Sequence, residues 1–175
     1  LHTAYRRQRQ MCIRDRDQYD PDKKIGMIVD EWGCWFTVEP GTNPGFLYQQ
    51  NTVRDALVAG ITLNIFNKHC DRVKMANLAQ MVNVLQSVIL TEGPKMIKTP
   101  TYHVFHMYRH HQGATLLNST LTGVGETGIG EWKVPEVTES VSEDAEHIIT
   151  VTLNNLSADE EKEICLLYTS PSPRD

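Results

Sequence analysis

Ile25-Gly26-Met27-Ile28-Val29-Asp30-Glu31-Trp32 is an apolar run that stops abruptly on two carboxylates. A strand with one wet face alternates, whereas an uninterrupted apolar run reads as a strand buried on both faces, as in a parallel sheet. Working outward, Glu39-Pro40-Gly41-Thr42-Asn43-Pro44-Gly45 is loop material. Asn51 to Ala59 reads as a helix stopped by Gly60, and Ile61-Thr62-Leu63-Asn64-Ile65-Phe66 as a second strand that ends in Asn67, Lys68, His69 and Asp71. Met75, Leu78, Val82, Leu85 and Ile89 then recur at spacings of three and four. This stripe predicts an amphipathic helix from Val73 to Leu90, with Asp71 as its N-cap and Gly93-Pro94 as its stop. Strand, helix, strand, helix in that order implies a parallel sheet covered by helices.

A short helix is expected from Thr99-Pro100 to about His111. Beyond Gly113 the texture changes: Leu121 to Gly130 is rich in Gly and Thr, and Val137 to Val141 and Ile148 to Leu153 alternate as strands do. This second region is expected to be all-β and antiparallel. Two strand–helix units leave an open sheet edge, which folded proteins avoid, so the rest of the α/β part is expected upstream.

The two ends read differently from the middle. Back-translated, Met11-Cys12-Ile13-Arg14-Asp15-Arg16 can contain TGTGTATAAGAGACA, and Cys165-Leu166-Leu167-Tyr168-Thr169 can be written as its reverse complement, TGTCTCTTATACACA. Inverted copies at two gene ends fit the adapters of a transposase-made sequencing library, read through as codons. Residues 1–16 and 165–175 are therefore expected to be translated adapter and are set aside. A basic arm built on Arg6, Arg7, Arg9, Arg14 and Arg16 would leave the inversion unexplained.

Removing six basic and two acidic residues with the ends takes 17 Lys+Arg against 22 Asp+Glu to 11 against 20, a net charge of −9 rather than −5. That balance argues against a nucleic-acid partner bound through a basic face. Cys34 and Cys70, the two cysteines left, make no disulfide framework, and a reducing compartment is the default. No apolar run approaches the roughly 20 residues of a membrane helix, so no membrane partner is expected.

Glu31 is the first candidate for chemistry. In a (β/α)8 barrel the C-terminal ends of the strands form the active-site face, so a carboxylate just past a buried strand is a catalytic candidate. Trp32 and Trp35 flank it, and aromatic faces suit the apolar side of a sugar ring. Read from periodicity alone, Asp30-Glu31 serves equally well as a strand cap or as a partner for a lysine. His103, His106, His110 and His111 fall at helical spacing, but without a Cys or acid partner nearby no metal site is expected. Cys34 reads as a small filler beside the site. A non-catalytic carbohydrate-binding module with Trp32, Trp35 and Trp132 as its platform is a rival that suits the β-rich end but not a helix over Val73 to Leu90.

The strings Ile28-Val29-Asp30-Glu31-Trp32-Gly33, Glu39-Pro40-Gly41-Thr42, Leu47-Tyr48-Gln49-Gln50-Asn51, Arg54-Asp55-Ala56-Leu57, Asn64-Ile65-Phe66-Asn67, His69-Cys70-Asp71-Arg72-Val73-Lys74 and Ala79-Gln80-Met81-Val82-Asn83-Val84-Leu85-Gln86 together resemble the intracellular-type α-L-arabinofuranosidases of glycoside hydrolase family fifty-one. The resemblance is strong from about Lys24 to Ala114. From there to Ile164 it is one of character, to that family's C-terminal β-sandwich. It implies the C-terminal part of a (β/α)8 TIM barrel over 17–112 and part of an antiparallel β-sandwich over 113–164. It also implies that Glu31, at the end of the seventh barrel strand, is the nucleophile of a retaining hydrolysis.

The acid/base belongs on the fourth strand, which this chain lacks, so the chain alone is expected to be inactive. Asn67 and His69, after the eighth strand, either line the pocket or make structural hydrogen bonds. Thr99 falls where some members carry a Gln that contacts substrate. The resemblance further implies terminal arabinofuranosyl residues of arabinan or arabinoxylan as substrate, no cofactor, a cytoplasmic location and a homo-oligomeric parent. Another barrel glycosidase with a similar strand-seven glutamate is the rival among enzymes.

Overall fold

The computed structural model describes residues 18–167. The stretch 1–16 and the part of 165–175 beyond residue 167, both read above as adapter, lie outside them. β1 (Met27–Trp32) and β2 (Val73–Leu78) form a parallel pair in the register Met27↔Val73, Ile28↔Met75, Val29↔Ala76 and Trp32↔Leu78. The helix α1 (Val53–Lys68) connects them. The parallel α/β unit is thus present, but its order is strand, one long helix, strand.

Several expectations are corrected by the structure. Gly60 does not stop the helix, and Ile61 to Phe66 is not a strand: α1 runs through both to Lys68. Ala56, Ala59, Leu63 and Phe66, spaced three, four and three, put one stripe of α1 onto Trp32, Val29, Ala76 and Leu78 of the sheet. Burying that stripe outweighs the extended preference of the β-branched Ile61, Thr62 and Ile65. Gly60 is required for another reason. A Cβ there would run into the side chain of Asn154, with Cγ at 2.7 Å and Nδ2 at 3.0 Å.

Val73 to Leu78 is β2, not the start of a helix, and the three–four spacing from Met75 to Ile89 is spread over β2, an irregular segment and a hairpin strand. The register decides: Ala76 and Leu78 join the core while Met75 is 52% exposed. Asp71 accordingly caps no helix; it is ion-paired with Lys23, whose hydrogen bond holds its carboxyl below the usual value. Ile28 is 56% exposed, so β1 presents one covered and one open face among the described residues instead of two covered ones.

β3 (Ile89–Glu92) and β4 (Lys95–Lys98) form an antiparallel hairpin closed at the Glu92↔Lys95 pair. Gly93, at φ 55°, takes the left-handed turn position, so Gly93-Pro94 is the turn of this hairpin and no helix stop. The expected short helix is α2 (Pro100–Tyr108), extended by a 3-10 turn over Arg109–His111. Its N-cap is Thr99, whose Oγ1 accepts from the Tyr102 N–H, and Pro100 occupies the first turn, where no N–H is needed.

The second region is antiparallel, as expected. β8 (Val137–Glu143) lies between β5 (Thr115–Leu117) and β9 (Ile149–Asn155), and β6 (Glu126–Ile129) with β7 (Trp132–Pro135) forms a separate hairpin. This sheet meets α1 and α2 across a polar seam. Asn64, 2% exposed, accepts at Oδ1 from Tyr108 Oη (2.9 Å), Ser140 Oγ (2.8 Å) and Thr152 Oγ1 (3.0 Å) and donates from Nδ2 to Thr138 Oγ1 (3.1 Å). Asn154 Nδ2 donates to Tyr108 Oη at 2.8 Å, and the Gly60 carbonyl, 3.0 Å from Tyr108 Oη, shares with Asn64 Oδ1 the single proton of that hydroxyl. Buried polar atoms left unpaired are costly; here the two sides supply each other's partners.

Candidate active site

β1 carries Glu31 to the C-terminal edge of the parallel pair. Between Val29↔Ala76 and Trp32↔Leu78 the register slips, three steps on β1 matching two on β2, and Asp30 and Glu31 sit in that irregularity. Such bulges bend a strand and re-aim its side chains, and they recur beside active sites. Glu31 is exposed, and among the described residues no hydrogen bond or ion pair ties its carboxylate.

The next residue points the other way. Trp32 is 3% exposed, edge-on to Phe66 (5.5 Å, 84°) and stacked with Phe105 (6.0 Å, 22°). Its indole, expected above to contact substrate, packs in the core of the described residues. Consecutive residues on a strand face opposite sides, so anchoring Trp32 inward turns Glu31 outward.

Trp35, by contrast, is 58% exposed on the loop that follows β1. Behind it lies a buried polar strut. Gln86 Oε1 accepts from the Cys34 N–H (2.9 Å), and Gln49 Oε1 accepts from the Phe36 N–H (2.8 Å). Both glutamines reach Asp55, which is fully buried and whose carboxylate accepts from the Thr52 N–H (2.8 Å) at the start of α1. Arg54 lays its guanidinium 3.6 Å from the Phe36 ring centroid. Cys34 is buried beside this strut, and burial together with the nearby Asp55 charge pushes its thiol up to about 11. It is a packed filler and no nucleophile.

Of the other expected contacts, Thr99 and Asn67 hold hydrogen bonds within the fold and His69 is exposed. Thr99 is 2% exposed and its hydroxyl is committed to the Ser87 carbonyl (2.7 Å) and to capping α2. Asn67 donates to Ser140 Oγ at 2.9 Å. It and the exposed His69 lie at the C-terminal end of α1, where the chain turns back to begin β2. That is the opposite edge of the sheet from Glu31. Ile61 to Phe66 lies within α1, so Asn67 and His69 follow a helix and not a strand.

The histidine group does not converge either. His106 stacks on Tyr102 while His111 bonds Ser142 Oγ (2.7 Å) and Thr152 Oγ1 (3.1 Å) in the seam. No group of three potential metal ligands occurs among the described residues.

The sequence reading missed Gln49, Gln86 and Asp55. Their signal was present but faint, since polar residues inside otherwise apolar stretches are informative only when burial is known. Clefts open elsewhere on the described residues. One, of about 480 Å³, runs between Asn77 and Leu78 of β2 and Tyr102, Phe105 and His106 of α2. The other, of about 1050 Å³, lies between the loop around Phe46 and Tyr48 and the hairpin around Leu90 and Met96. Glu31 lines neither.

An exposed carboxylate in a strand irregularity, followed four residues later by an exposed tryptophan, offers a nucleophile and an apolar face of the kind a sugar ring takes. The family model for the alpha-L-arabinofuranosidase C-terminal domain matches residues 30–175. The chain belongs to the α-L-arabinofuranosidase family. It is 51% identical over 150 residues to the intracellular exo-alpha-L-arabinofuranosidase of Bacteroides ovatus, a match that covers 86% of this chain and 29% of that protein. An intracellular exo-alpha-(1->5)-L-arabinofuranosidase of Halalkalibacterium halodurans is 38% identical over 104 residues, covering 54% and 21%.

Among solved structures, the family 51 arabinofuranosidase of Xanthomonas axonopodis pv. citri superposes with a TM-score of 0.78 at 51% identity, over 82% of this arabinofuranosidase-family chain and 29% of that one. The chain therefore spans less than a third of the length of these relatives. Among its described residues no helix is long and apolar enough to cross a membrane.

Proposed function

We propose that this chain is the C-terminal part of a retaining exo-acting α-L-arabinofuranosidase, in which Glu31 is the nucleophile. The observation that carries the reading is the position of Glu31, turned outward in a bulge at the C-terminal edge of a parallel strand pair. Family membership and the names of the relatives support it.

In this reading residues 17–112 are the last strand–helix units of a (β/α)8 barrel, with β1 and β2 as its final strands. Residues 113–164 belong to a C-terminal β-sandwich. Glu31 attacks the anomeric carbon of a terminal arabinofuranosyl residue in arabinan or arabinoxylan, forming a covalent glycosyl-enzyme that water then hydrolyses. A second carboxyl group, about 5 Å away, protonates the leaving oxygen and later activates the water; it is supplied by the remainder of the enzyme. The two carboxyl groups do this without a metal or cofactor. Trp35 forms one wall of the sugar site. Like the Bacteroides ovatus protein, which is intracellular by name, the enzyme works in the cytoplasm, and it assembles as a homo-oligomer.

The chain by itself does not turn over substrate. Glu31→Ala in the full-length enzyme is expected to lower kcat by several orders of magnitude on an aryl α-L-arabinofuranoside, with partial recovery on adding azide as an external nucleophile. Near-normal turnover, or labelling of another residue by a mechanism-based fluoro-arabinofuranoside, removes the assignment. An aryl pyranoside panel separates it from other barrel glycosidases. The carbohydrate-binding-module reading loses one of its three tryptophans to the core. Its objection drawn from a helix over Val73 to Leu90 also falls, since that helix does not form, but α1 and α2 remain foreign to such a module.

A further inference from the structure

We propose that Gln86 and Gln49 form a clamp that positions Trp35 beside Glu31; this rests on the reading of Glu31 as nucleophile and Trp35 as a wall of the sugar site. β1 ends at Trp32, whose carbonyl accepts from the Ala79 N–H at 2.9 Å, and the backbone beyond has no strand partner. The glutamines replace it. Cys34 donates its N–H to Gln86 Oε1 (2.9 Å) and accepts at its carbonyl from Gln49 Nε2 (3.3 Å), while Phe36 donates its N–H to Gln49 Oε1 (2.8 Å). These contacts fall on the residues immediately before and after Trp35.

The far ends of both amides are committed as well. Gln86 Nε2 donates to the Asp55 carbonyl (2.6 Å) and Thr101 Oγ1 (3.3 Å), and Gln49 Nε2 to Asp55 Oδ1 (3.5 Å). Gln86 is wholly buried and Gln49 is 1% exposed. The Trp35 loop is thereby fixed to the first turns of α1 and α2.

Burying two amides is costly unless their donors and acceptors are used, and an apolar side chain would fill the same space. What the amides add is direction, applied to the backbone of Cys34 and Phe36 on either side of Trp35, whose own side chain lies mostly in water. Ordering an exposed indole contributes little to the core; it preorganises a contact surface. The glutamines touch no substrate and are positioning residues.

The test uses the full-length enzyme with Gln86→Leu, Gln86→Glu and Gln49→Leu, each alone and combined with Trp35→Ala, on an aryl α-L-arabinofuranoside. Each glutamine variant is expected to raise KM about tenfold with kcat held within about threefold, and to add no further rise once Trp35 is alanine. KM does not depend on how much of the enzyme is folded, so a merely structural defect would lower apparent kcat and leave KM alone. Should Gln86→Leu fail to fold, Gln86→Glu decides. It keeps the acceptor for Cys34, turns an oxygen in place of the donors toward the Asp55 carbonyl and adds a buried negative charge. The far anchor is thus broken by repulsion as well as by loss of the donors, and an unchanged KM in this variant overturns the clamp. Effects of Gln86 and Trp35 that multiply in the double variant overturn it too. Either result counts against the clamp alone, whereas turnover surviving in Glu31→Ala counts against the site itself.

Discussion

Replacing a glycine inside a helix by alanine ordinarily stabilises the helix by about 1 kcal/mol. At Gly60, in the middle of α1, we expect the sign to reverse. The added Cβ would lie 2.7 Å from Asn154 Cγ and 3.0 Å from Nδ2, inside contact distance. Asn154 cannot simply swing away, because its Nδ2 donates to Tyr108 Oη at 2.8 Å within the seam. Overpacking of this kind costs about 1–3 kcal/mol, and a displaced hydrogen bond about 1 kcal/mol more. Set against the helical gain, Gly60→Ala should lose about 1–3 kcal/mol. At about 2–4 °C per kcal/mol for a protein of this size, the loss is readable in a thermal melt. Gly60→Ala combined with Asn154→Ala should recover most of what the clash costs, leaving only the loss of the Asn154 hydrogen bond. A Gly60→Ala protein that melts at or above the parent temperature would refute the close approach of β9 to α1.

His111 is held below its ordinary value of 6.5 by burial first and by His110 second. The unfolded chain therefore takes up more protons than the folded one as pH falls through 6.5, and stability drops on the acid side. Melting temperature should fall from pH 7.5 towards 5.5, and less steeply in His111→Gln; equal slopes would remove His111 as the cause. Cys34, buried and with its thiol raised to about 11, should resist an aromatic disulfide reagent at pH 8 in the folded protein, while the exposed Cys70 reacts. Rapid labelling of Cys34 without denaturant would contradict its burial.

Much of the layout was legible in sequence. The apolar run into Asp30-Glu31 located β1, Thr99-Pro100 located the start of α2, and alternation located β8 and β9. The middle was not, for a physical reason: local pattern and tertiary burial disagree there. Ile61 to Phe66 carries extended-favouring side chains yet is buried as a helix stripe. Met75 to Ile89 imitates a helix by coincidence of spacing across three different elements. Those two misreadings carried into the site. They place Asn67 and His69 at the wrong edge, whereas Glu31 and Trp35 are read correctly from β1 and the loop that follows it, where both are exposed. The burial of Trp32 and Thr99 is not legible in the sequence, because residue type gives no hint of side-chain direction.

The contact between α1 and the β8–β9 sheet works as a keyed joint. Two greasy surfaces can slide past one another and remain content. Here a shift by a single residue would strand Asn64, Tyr108, Ser140 and Thr152 together. Grafting this sheet onto another relative's helices should therefore succeed only when both halves of the lock travel together.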